Sequence, residues 1–479
     1  MTQFGKKQMY IGGKLRNAIS GSLHNVICPA TDEIVAEVAW GAKEDALLAL
    51  DEAQKGFEYW SKLPLAKRQE WMLKLRSAVL EREEELRLAM MAEMGKTFES
   101  AWEDIEALIN GLEYYPQAMK LKNDEMIRDI EGTHEHKIVY RPAGVVVAYL
   151  AWNFPILNAG YKIGPALAAG CSIIVRPSNQ APISGYILGE IANSINFPAG
   201  VINIICGPTA EVADTLTKSK TTRVITMIGS TDAAKKVIST STTSVKRLSM
   251  ELGGNAPFIV CEDADIDLAV NIGIALKYNN CGQVCVAPNR FFIHKNVMNE
   301  FLEKFIAKAK SLRIGYGREN KPDMGPCIDK RSRERILKMI DDDIASGAKL
   351  IYGGKAIDGK GAYMMPTILT GLTSQMRCFK EEIFGPVAAM MTWDNEEEVL
   401  CMANDTEVGL ASYVFSHDEG KIRFFSEGLN FGEVQVNGVK YSIYLPHWGI
   451  KQSGMGCDCS EYALDDYLER KRISTAIIK

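Results

Sequence analysis

The chain has 479 residues, of which 47% are hydrophobic and 24% charged, and its formal net charge is −5. This length exceeds the roughly 250–300 residues at which a single core stops growing, so it predicts two or three domains. The slight acidity excludes the basic stripe that nucleic-acid binding needs, and no apolar run approaches the roughly 20 residues of a membrane span. The first residues carry no apolar segment after their charges, so we expect no signal peptide and a cytoplasmic protein.

The eleven cysteines are odd in number and lack framework spacing. Such usage is typical of free thiols in a reducing compartment. Two pairs lie close in sequence, Cys281 with Cys285 and Cys457 with Cys459. Neither pair has Cys-x2-Cys spacing and no histidine stands at zinc-site spacing beside them, so we predict no metal site. At position 281 we favour a plain small residue over a reversible disulfide with Cys285.

The first 120 residues are predicted to be mainly helical. Segments 46–57 and 66–94 carry apolar residues at helical spacing with charges between them. No internal repeat, low-complexity tract or flexible linker divides the chain, so domain boundaries have to follow from the order of the predicted elements.

From Gly144 onward, short β-branched runs alternate with helical segments. These runs are Val145–Tyr149, Ser172–Val175, Val201–Ile205 and Arg223–Met227. Their spacing predicts βαβ units in a parallel sheet with helices on both faces, a Rossmann-like arrangement without the usual Gly-x-Gly-x-x-Gly fingerprint. Further runs at Ala256–Val260 and Phe291–Ile293 predict a second α/β domain.

Two other strands have no partner nearby in the sequence. They are Lys137–Arg141 and Arg472–Ile478. Because unpaired strand edges are usually covered by another element or another subunit, these strands predict an oligomerisation flap.

Four short motifs carry the chemistry. The loop at 278–285 ends in Cys285, and loops held by a scaffold often carry nucleophiles, although a lone cysteine is more often a small buried hydrophobe. Its companions are Ala-Trp-Asn-Phe-Pro at 151–155, Met-Glu-Leu-Gly-Gly-Asn-Ala-Pro at 250–257 and Glu-Ile-Phe-Gly-Pro at 382–386.

In this order and spacing the four motifs resemble those of the aldehyde dehydrogenase superfamily, and the resemblance covers nearly the full length. The chain is most similar to the non-phosphorylating semialdehyde and aminoaldehyde dehydrogenases. The resemblance implies an α/β fold with a Rossmann-like parallel-sheet cofactor domain, an α/β catalytic domain, a small β flap and assembly as a homodimer or homotetramer. The implied boundaries are 1–122 and 142–251 for the cofactor domain, 252–440 for the catalytic domain, 123–141 and 467–479 for the flap, and 441–466 for a return to the cofactor domain.

The resemblance also implies the catalytic roles. Cys285 forms a thiohemiacetal with the aldehyde, since a thiolate is a strong nucleophile. Asn153 and the Cys285 amide stabilise the oxyanion. Glu251 is the base that activates water to hydrolyse the thioester. Lys162 relays protons with an acid near the C-terminus, here Asp458.

The implied cofactor is NAD(P)+, and its contacts are spread over several loops. They are Trp152, Arg176, Ser178, Asn179, Gly229, Ser230, Leu252, Glu382 and Phe384. The segment Arg176–Asn179 replaces the family's usual Lys-Pro-Ser-Glu. Without that glutamate, a guanidinium can meet a 2′-phosphate. We therefore expect NADP to be tolerated or preferred, with NAD as the alternative.

The substrate is less constrained. Succinate-semialdehyde dehydrogenases hold the substrate carboxylate with arginines where this chain has Tyr161 and Asn279. The substrate classes left open are semialdehydes, hydroxyaldehydes, aminoaldehydes and sulfonated aldehydes. His447 stands where the family usually has phenylalanine, and we interpret it as a surface-loop residue in preference to one that lines the substrate mouth.

Two alternatives remain to an aldehyde dehydrogenase that hydrolyses its thioester with water. A CoA-acylating or phosphorylating enzyme would not need the water-activating Glu251. A catalytically silent structural or binding member would be expected to have lost Cys285, Asn153 or Glu251, and all three are present.

Overall fold

The computed structural model describes residues 2–478 as alternating strands and helices. The strands are β1 (Lys6–Lys7), β2 (Met9–Ile11), β3 (Lys14–Arg16), β4 (Leu23–Ile27), β5 (Ile34–Ala39), β6 (Glu125–Ile127), β7 (His134–Pro142), β8 (Val145–Tyr149), β9 (Ser172–Arg176), β10 (Ile202–Ile204), β11 (Thr222–Ile228), β12 (Arg247–Glu251), β13 (Ala256–Val260), β14 (Pro288–His294), β15 (Lys349–Tyr352), β16 (Thr367–Thr370), β17 (Val387–Trp393), β18 (Val408–Gly409), β19 (Ala411–Phe415), β20 (Glu433–Val436), β21 (Ile450–Lys451), β22 (Gly454–Met455) and β23 (Leu468–Ala476). The helices are α1 (Lys43–Trp60), α2 (Leu65–Glu81), α3 (Glu83–Met94), α4 (Ala101–Leu121), α5 (Pro155–Ala169), α6 (Ile183–Ser194), α7 (Asp214–Lys218), α8 (Thr231–Thr240), α9 (Ile266–Tyr278), α10 (Met298–Ser311), α11 (Lys330–Ala345), α12 (Arg377–Lys380), α13 (Glu396–Asn404), α14 (Glu419–Gly428) and α15 (Leu464–Tyr467).

An eight-stranded sheet forms the first core, in the order β22-β12-β11-β8-β9-β10-β2-β3. Its central strands run parallel, and antiparallel strands stand at both ends. Every residue of β8 is buried, as expected for a parallel sheet covered on both faces. The four runs predicted from residue 145 onward are β8 to β11, so the Rossmann-like parallel sheet is confirmed.

A seven-stranded sheet forms the second core, in the order β15-β16-β17-β14-β13-β19-β20. Six strands of this sheet are parallel, namely β16, β17, β14, β13, β19 and β20. The edge strand β15 is antiparallel to β16. The predicted runs at 256–260 and 291–293 are β13 and part of β14, so the α/β fold class is confirmed for this region as well.

The N-terminal forty residues differ from the prediction. They form β1 to β5, whereas the sequence predicted mainly helix for the first 120 residues. β1 to β3 have two or three residues each, too few to show a period, and β2 and β3 gain stability by extending the eight-stranded sheet. β4 and β5 have five and six residues and were missed despite that length. Helices do fill 43–60 and 65–121 almost completely, with a break at Arg82 inside the predicted segment 66–94.

A third sheet has the order β23-β7-β6 and is antiparallel. The two strands that lacked a local partner pair with each other, from Leu468 opposite Pro142 to Ala476 opposite His134. The outer strand β6 is exposed along its whole length, and Met126 is 65% exposed. We call β6, β7 and β23 the flap sheet.

Within residues 2–478, no helix combines the length and the apolar character needed to cross a membrane.

The order of strands fixes where a ligand can lie. Strands β8, β9, β11 and β12 are parallel neighbours, so the loops that follow them meet at one edge of the eight-stranded sheet. In open α/β sheets this edge is where ligands bind. The loop before β14 reaches the same region from the second core, because Asn153 after β8 contacts Gln283.

Candidate active site

A cavity of about 720 Å³ opens between the two cores. Its inner wall carries Asn153, Glu251, Cys285 and His447, and its outer wall carries both acidic and basic side chains. The outer polar residues are Glu103, Glu106, Asn110, Asn158, Tyr161, Asn279, Gln435, Lys440 and Tyr441. Thiol, amide, carboxylate and imidazole groups therefore share one concave site.

Cys285 stands at the end of a strained loop between α9 and β14. Asn280 and Cys281 have φ values of 48° and 58°, and Gly282 follows at 69°. Left-handed backbone at residues other than glycine is costly and tends to persist at functional sites. The Cys285 side chain is partly exposed, so the loop presents the thiol to the cavity.

Buried polar contacts hold this loop in place. The Gln283 side-chain amide donates to the Asn280 carbonyl at 2.9 Å, and its oxygen accepts from the Ile328 amide at 2.8 Å. A Cβ atom on Gly254 would lie 2.4 Å from the carbonyl oxygen of Cys285. Only glycine therefore lets the segment after β12 lie against the backbone of Cys285.

Asn153 follows β8 and is 4% exposed. Its Nδ2 donates to the Gln283 carbonyl at 3.2 Å, and the Asn280 side chain donates to the Asn153 carbonyl at 2.9 Å. A primary amide has two N–H groups, so one remains to donate to an oxygen bound beside the thiol. The Asn153 side chain is thus fixed against the loop that carries Cys285.

Glu251 ends β12 and is 5% exposed. Its Oε1 is buried and forms no hydrogen bond of regular geometry among the residues that the structure describes, and its neighbour is His447 Nε2 at 3.4 Å. One carboxylate oxygen of Glu251, the Cys285 sulfur and an imidazole nitrogen of His447 all lie within 4.8 Å of one another. The carboxylate is free to accept a proton beside the thiol.

The same three residues bring together an oxygen, a sulfur and a nitrogen atom of the kinds that ligate transition metals. The sequence predicted no metal site, because no histidine stands at zinc-site spacing beside a cysteine pair, and this stays a prediction. Glu251, Cys285 and His447 are far apart in sequence, and the fold alone brings them together.

His447 corrects our interpretation of the sequence, which favoured a surface-loop histidine. Its side chain is only 11% exposed and lies in the cavity, with Nδ1 2.5 Å from Glu433 Oε1 and Nε2 3.4 Å from Glu251 Oε1. Two backbone hydrogen bonds join His447 to Asp458 as an antiparallel bridge. This bridge turns the loop inward, and no local sequence signal indicates it.

Burial and neighbouring charges set the proton affinities here. Burial alone would lower the pKa of His447, but hydrogen bonds to Cys285, Glu251 and Glu433 outweigh it and raise the pKa well above its ordinary value. Burial, and then the Glu251 charge, raises the pKa of the Cys285 thiol, whereas His447 acts to lower it. Glu251 and His447 therefore have opposite effects on the pKa of the Cys285 thiol, because one carries a negative charge and the other a positive charge.

Lys162 lies on α5 and its side chain is fully buried. Its Nζ lies 2.5 Å and 2.7 Å from the two carboxylate oxygens of Asp458. Burial raises the pKa of Asp458, and the Lys162 charge opposes that rise. Asp458 also lines a small second cavity with Glu251 and His447. The expected pair is thus in contact and adjoins the main site.

The residues expected to bind the cofactor surround the carboxyl edge of the eight-stranded sheet. Trp152 follows β8, Arg176 ends β9, Ser178 and Asn179 come directly after it, and Gly229 and Ser230 follow β11. Leu252 follows β12, is 6% exposed and donates its amide to the Ser453 carbonyl at 2.9 Å. These residues are brought to one crevice by the parallel order of their strands.

The crevice has polar groups suited to a dinucleotide. Arg176 Nη2 donates to Asn179 Oδ1 at 2.9 Å and to the Gly207 carbonyl at 2.8 Å. Its Nε is buried and lacks a hydrogen-bond partner in the described part of the chain. Ser230 caps the N-terminus of α8 by accepting from the Ala233 amide at 3.3 Å, at an end of the helix that favours phosphate.

Glu382 and Phe384 reach this crevice from the second core. The Glu382 carboxylate accepts from the Gly254 amide at 3.0 Å, and burial raises the pKa of Glu382 to about 7. The Phe384 ring meets the Trp152 ring edge-on at 5.5 Å, and its backbone has a φ of 49°. In this position the Glu382 carboxylate can accept a hydrogen bond from a ribose hydroxyl. The residues present therefore fit a nicotinamide dinucleotide.

Two features of the site were missed by the sequence analysis. Cys281 is buried with its sulfur 3.9 Å from that of Cys327, so its thiol neighbour is a residue that we had not considered. Glu433, at the start of β20, contacts His447 and lines the cavity. Neither contact has a spacing signal, because each joins residues that are brought together only by the tertiary fold.

Known proteins resemble this chain over nearly its full length. The model of the aldehyde dehydrogenase family matches residues 17–473. The chain is 36% identical over 469 residues to the mitochondrial succinate-semialdehyde dehydrogenase of Oryza sativa subsp. japonica, covering 98% of this chain and 89% of the relative. It is also 36% identical over 469 residues to the 3-sulfolactaldehyde dehydrogenase of Pseudomonas putida, covering 98% and 96%. A structure of 3,6-anhydro-L-galactose dehydrogenase in complex with NAP matches with a TM-score of 0.95 and 32% identity, covering 98% of this chain and 100% of that one. The resemblance seen in the four motifs is confirmed, and the chain belongs to the aldehyde dehydrogenase family, a family of oxidoreductases that act on aldehydes.

Proposed function

We propose that this chain oxidises a small polar aldehyde to its carboxylic acid with NAD(P)+, through a thioester on Cys285. The observation that carries the proposal is the meeting of Cys285, Asn153 and Glu251 at the inner end of one cavity. Each group supplies one step that the reaction needs, and the dinucleotide crevice adjoins them.

The first step is addition of the Cys285 sulfur to the aldehyde carbon. The new C–S bond leaves a negative charge on the aldehyde oxygen, and the free N–H of Asn153 donates to that oxygen. The left-handed turn before Cys285 fixes the sulfur in advance, so little reorganisation accompanies the attack. A bound nicotinamide would supply the acceptor for the hydride whose loss converts the adduct into a thioester, and Glu382 and Phe384 would help to hold it.

The second step is hydrolysis of that thioester. Glu251 has a buried carboxylate oxygen that forms no regular hydrogen bond among the described residues and lies 3.4 Å from His447 Nε2, and Glu251 takes a proton from water as the water attacks the thioester carbon. The C–S bond then breaks and sulfur leaves as thiolate. Lys162 and Asp458, which are in contact with each other, take up the released proton, and the Glu251 charge acts on Asp458.

For the cofactor, we propose that Arg176 and Ser178 accommodate a 2′-phosphate. The guanidinium has a buried Nε without a partner within residues 2–478, and Asn179 replaces a carboxylate that would repel the phosphate. The similar structure of 3,6-anhydro-L-galactose dehydrogenase is a complex with NAP, which is NADP, and this supports the assignment. Trp152, Gly229, Ser230 and Leu252 form the remaining wall, with Glu382 and Phe384 across the crevice.

The substrate end of the cavity favours an uncharged or cationic group over a carboxylate. Tyr161 and Asn279 occupy the places of the two arginines that hold carboxylates in succinate-semialdehyde dehydrogenases. Glu103 and Glu106 add negative charge to the outer wall, and the Asn279 amide donates to Glu103 at 3.4 Å. We therefore expect hydroxyaldehydes and aminoaldehydes to react better than carboxylate-bearing semialdehydes.

We also retain the division into a cofactor domain (1–122 and 142–251), a catalytic domain (252–440), a return segment (441–466) and a flap (123–141 and 467–479). The flap sheet presents exposed strands that a second copy can cover. On this basis we propose a homodimer or homotetramer.

The function is tested by following the absorbance of reduced nicotinamide with NAD+ and NADP+ separately. The panel contains aliphatic, hydroxy, amino, semialdehyde and sulfonated aldehydes, and each is tested with wild type and Cys285→Ala. We expect turnover that the substitution abolishes. Turnover that survives the loss of Cys285, or that requires coenzyme A or phosphate, would contradict the proposal and favour another mechanism.

A further inference from the structure

An imidazole lies beside the proposed nucleophile where the family usually has a phenyl ring. His447 Nδ1 is 2.5 Å from Glu433 Oε1, and its Nε2 is 3.4 Å from Glu251 Oε1. The Cys285 sulfur belongs to the same group of atoms, all within 4.8 Å of one another. The imidazole thus contacts the Glu433 carboxylate and also belongs to the group formed with Glu251 and Cys285.

The position of His447 is fixed by its neighbours. The backbones of His447 and Asp458 exchange hydrogen bonds of 2.7 Å and 2.8 Å. Trp448 Nε1 donates to the Gly432 carbonyl at 3.1 Å, and a Cβ on Gly432 would lie 1.9 Å from the Trp448 carbonyl oxygen. The residues beside His447 and beside Glu433 are therefore packed backbone against backbone, which keeps the two side chains in register.

The ring is also enclosed by aromatic side chains. The centroid of the Tyr161 ring is 6.5 Å from that of His447, and the centroid of the Tyr441 ring is 6.1 Å away. The Tyr441 hydroxyl lies 2.9 Å from the Tyr413 hydroxyl, which donates to the Val286 carbonyl at 2.7 Å. This enclosure limits rotation of the imidazole and places Nε2 toward Glu251 and Cys285.

Charge, as well as packing, couples His447 to Cys285. Glu251 beside Cys285 disfavours a second negative charge on sulfur, and an imidazolium held by Glu433 opposes that effect. The titratable groups that face His447 from all the packed segments are Glu251, Cys285, Tyr161, Tyr413, Glu433, Tyr441, Cys457, Asp458 and Cys459. Apart from the thiols and phenols, which are neutral at pH 7, these groups are carboxylates that favour the protonated ring.

We propose that His447, held by Glu433, is a further catalytic residue that stabilises the Cys285 thiolate through its Nε2 proton and its positive charge. The S–H bond of Cys285 breaks, its proton passes to Glu251, and sulfur keeps the electron pair. That pair forms the bond to the aldehyde carbon while the C=O pair moves to oxygen. Glu251 then releases the proton to solvent in the cavity, and it is ready to act on water.

The proposal rests on the role of Cys285 in the proposed function, but its test needs neither aldehyde nor cofactor. The rate of Cys285 alkylation by iodoacetamide is measured from about pH 6 to about pH 10, the range in which thiols titrate. Mass spectrometry separates the Cys285 peptide from that of the exposed Cys401, which serves as an internal standard. A failure of turnover with every aldehyde would overturn the proposed function and leave this measurement valid.

We expect His447→Gln to move the pH midpoint of Cys285 alkylation upward by about one to three units, as the loss of a nearby opposite charge does. At neutral pH the rate should fall by about tenfold or more, because the thiolate fraction falls tenfold for each unit. Glu433→Gln should shift the midpoint in the same direction by less, since the imidazole loses its anionic partner but stays in place.

His417→Gln is the matched control, because His417 is exposed and lies outside the cavity. An unchanged midpoint in His447→Gln overturns the proposal, and so does a lower rate without a shift, which would indicate only a packing role. Should His447→Gln lose its cooperative unfolding transition, Glu433→Gln decides. An upward shift there supports the proposal, and an unchanged midpoint overturns it.

Discussion

One N–H group of the Asn153 side-chain amide already donates a hydrogen bond within the protein. Its Nδ2 donates to the Gln283 carbonyl, so the loss of this side chain removes both an anchor of the loop and the donor to the oxyanion. We expect Asn153→Ala to lower kcat by about 10²–10³-fold, the usual cost of one such donor. Steady-state rates with the best aldehyde of the panel measure the effect.

The matched control for this prediction is Asn404→Ala. Asn404 also donates its side-chain amide to a backbone carbonyl, that of Gly428 at 2.9 Å, but it lies away from the cavity. Its kcat should stay near that of wild type. A loss of activity that is equal in the two variants would show that Asn153 matters only for folding.

At the residue scale, the sequence indicated single residues within motifs better than contacts between motifs. Cys285, Asn153 and Glu251 stand in short runs with a recognisable composition, and the structure brings all three to one cavity. His447 and Glu433 meet through a turn of the return segment that no period or spacing describes. The sequence therefore placed His447 at the surface, although its substitution for phenylalanine was visible.

The loop between α9 and β14 depends on a neighbouring segment that contains two glycines. A Cβ on Gly254 would approach the Cys285 carbonyl oxygen to 2.4 Å, which is not possible without displacing one of the two segments. We expect Gly254→Ala to move Cys285 and to lower kcat by about 10²-fold, since small displacements near the reacting atoms have effects of this size. Thermal unfolding should show a lower midpoint as well.

Gly315→Ala provides the comparison. The nearest atom to a Cβ on Gly315 is 3.7 Å away, and its φ is not in the left-handed region, so the substitution meets ordinary contact only. It should leave both kcat and the thermal midpoint close to those of wild type. Wild-type kcat in Gly254→Ala would mean that the loop tolerates the displacement.

At the scale of elements, runs of buried β-branched residues between helical segments were predicted, whereas the short strands of the first forty residues were missed. Strands β8, β9 and β11 have five to seven mostly buried residues, so their β-branched composition alone indicated them. Strands β1 to β3 have two or three residues each. β1 pairs with β5 and β2 pairs with the distant β10, whereas β3 pairs with its hairpin neighbour β2. The pairing of β2 with β10 is absent from any local pattern.

The flap sheet bears on the whole molecule, because apolar side chains on it and directly beside it are exposed. Ile473 in β23 is 40% exposed, and Ile477, which follows β23, is 48% exposed. We expect light scattering after size-exclusion chromatography to give a mass of two or four chains. Replacing both isoleucines by lysine should lower that mass, because buried lysine charges disfavour an apolar interface.

Ile344→Lys tests whether an exposed apolar residue elsewhere has the same effect. Ile344 lies on α11 and is 38% exposed, outside the flap sheet. The mass of this variant should match that of wild type. A wild-type protein that is monomeric at all concentrations, or a flap variant of unchanged mass, would contradict an interface through the flap.

The pairing of β7 with β23 also constrains the order in which the chain can fold. His136 and Ser474 contact each other in this pair and are 338 residues apart in sequence. Closing so long a loop carries a large entropic cost before any contact compensates it, unless the intervening chain is already compact. The whole second core and six of the eight strands of the first sheet lie between these two strands, so their formation brings the partners together and lowers the entropic cost of closing the pair. The flap sheet is therefore a late product of folding that reports on the completion of everything between its strands.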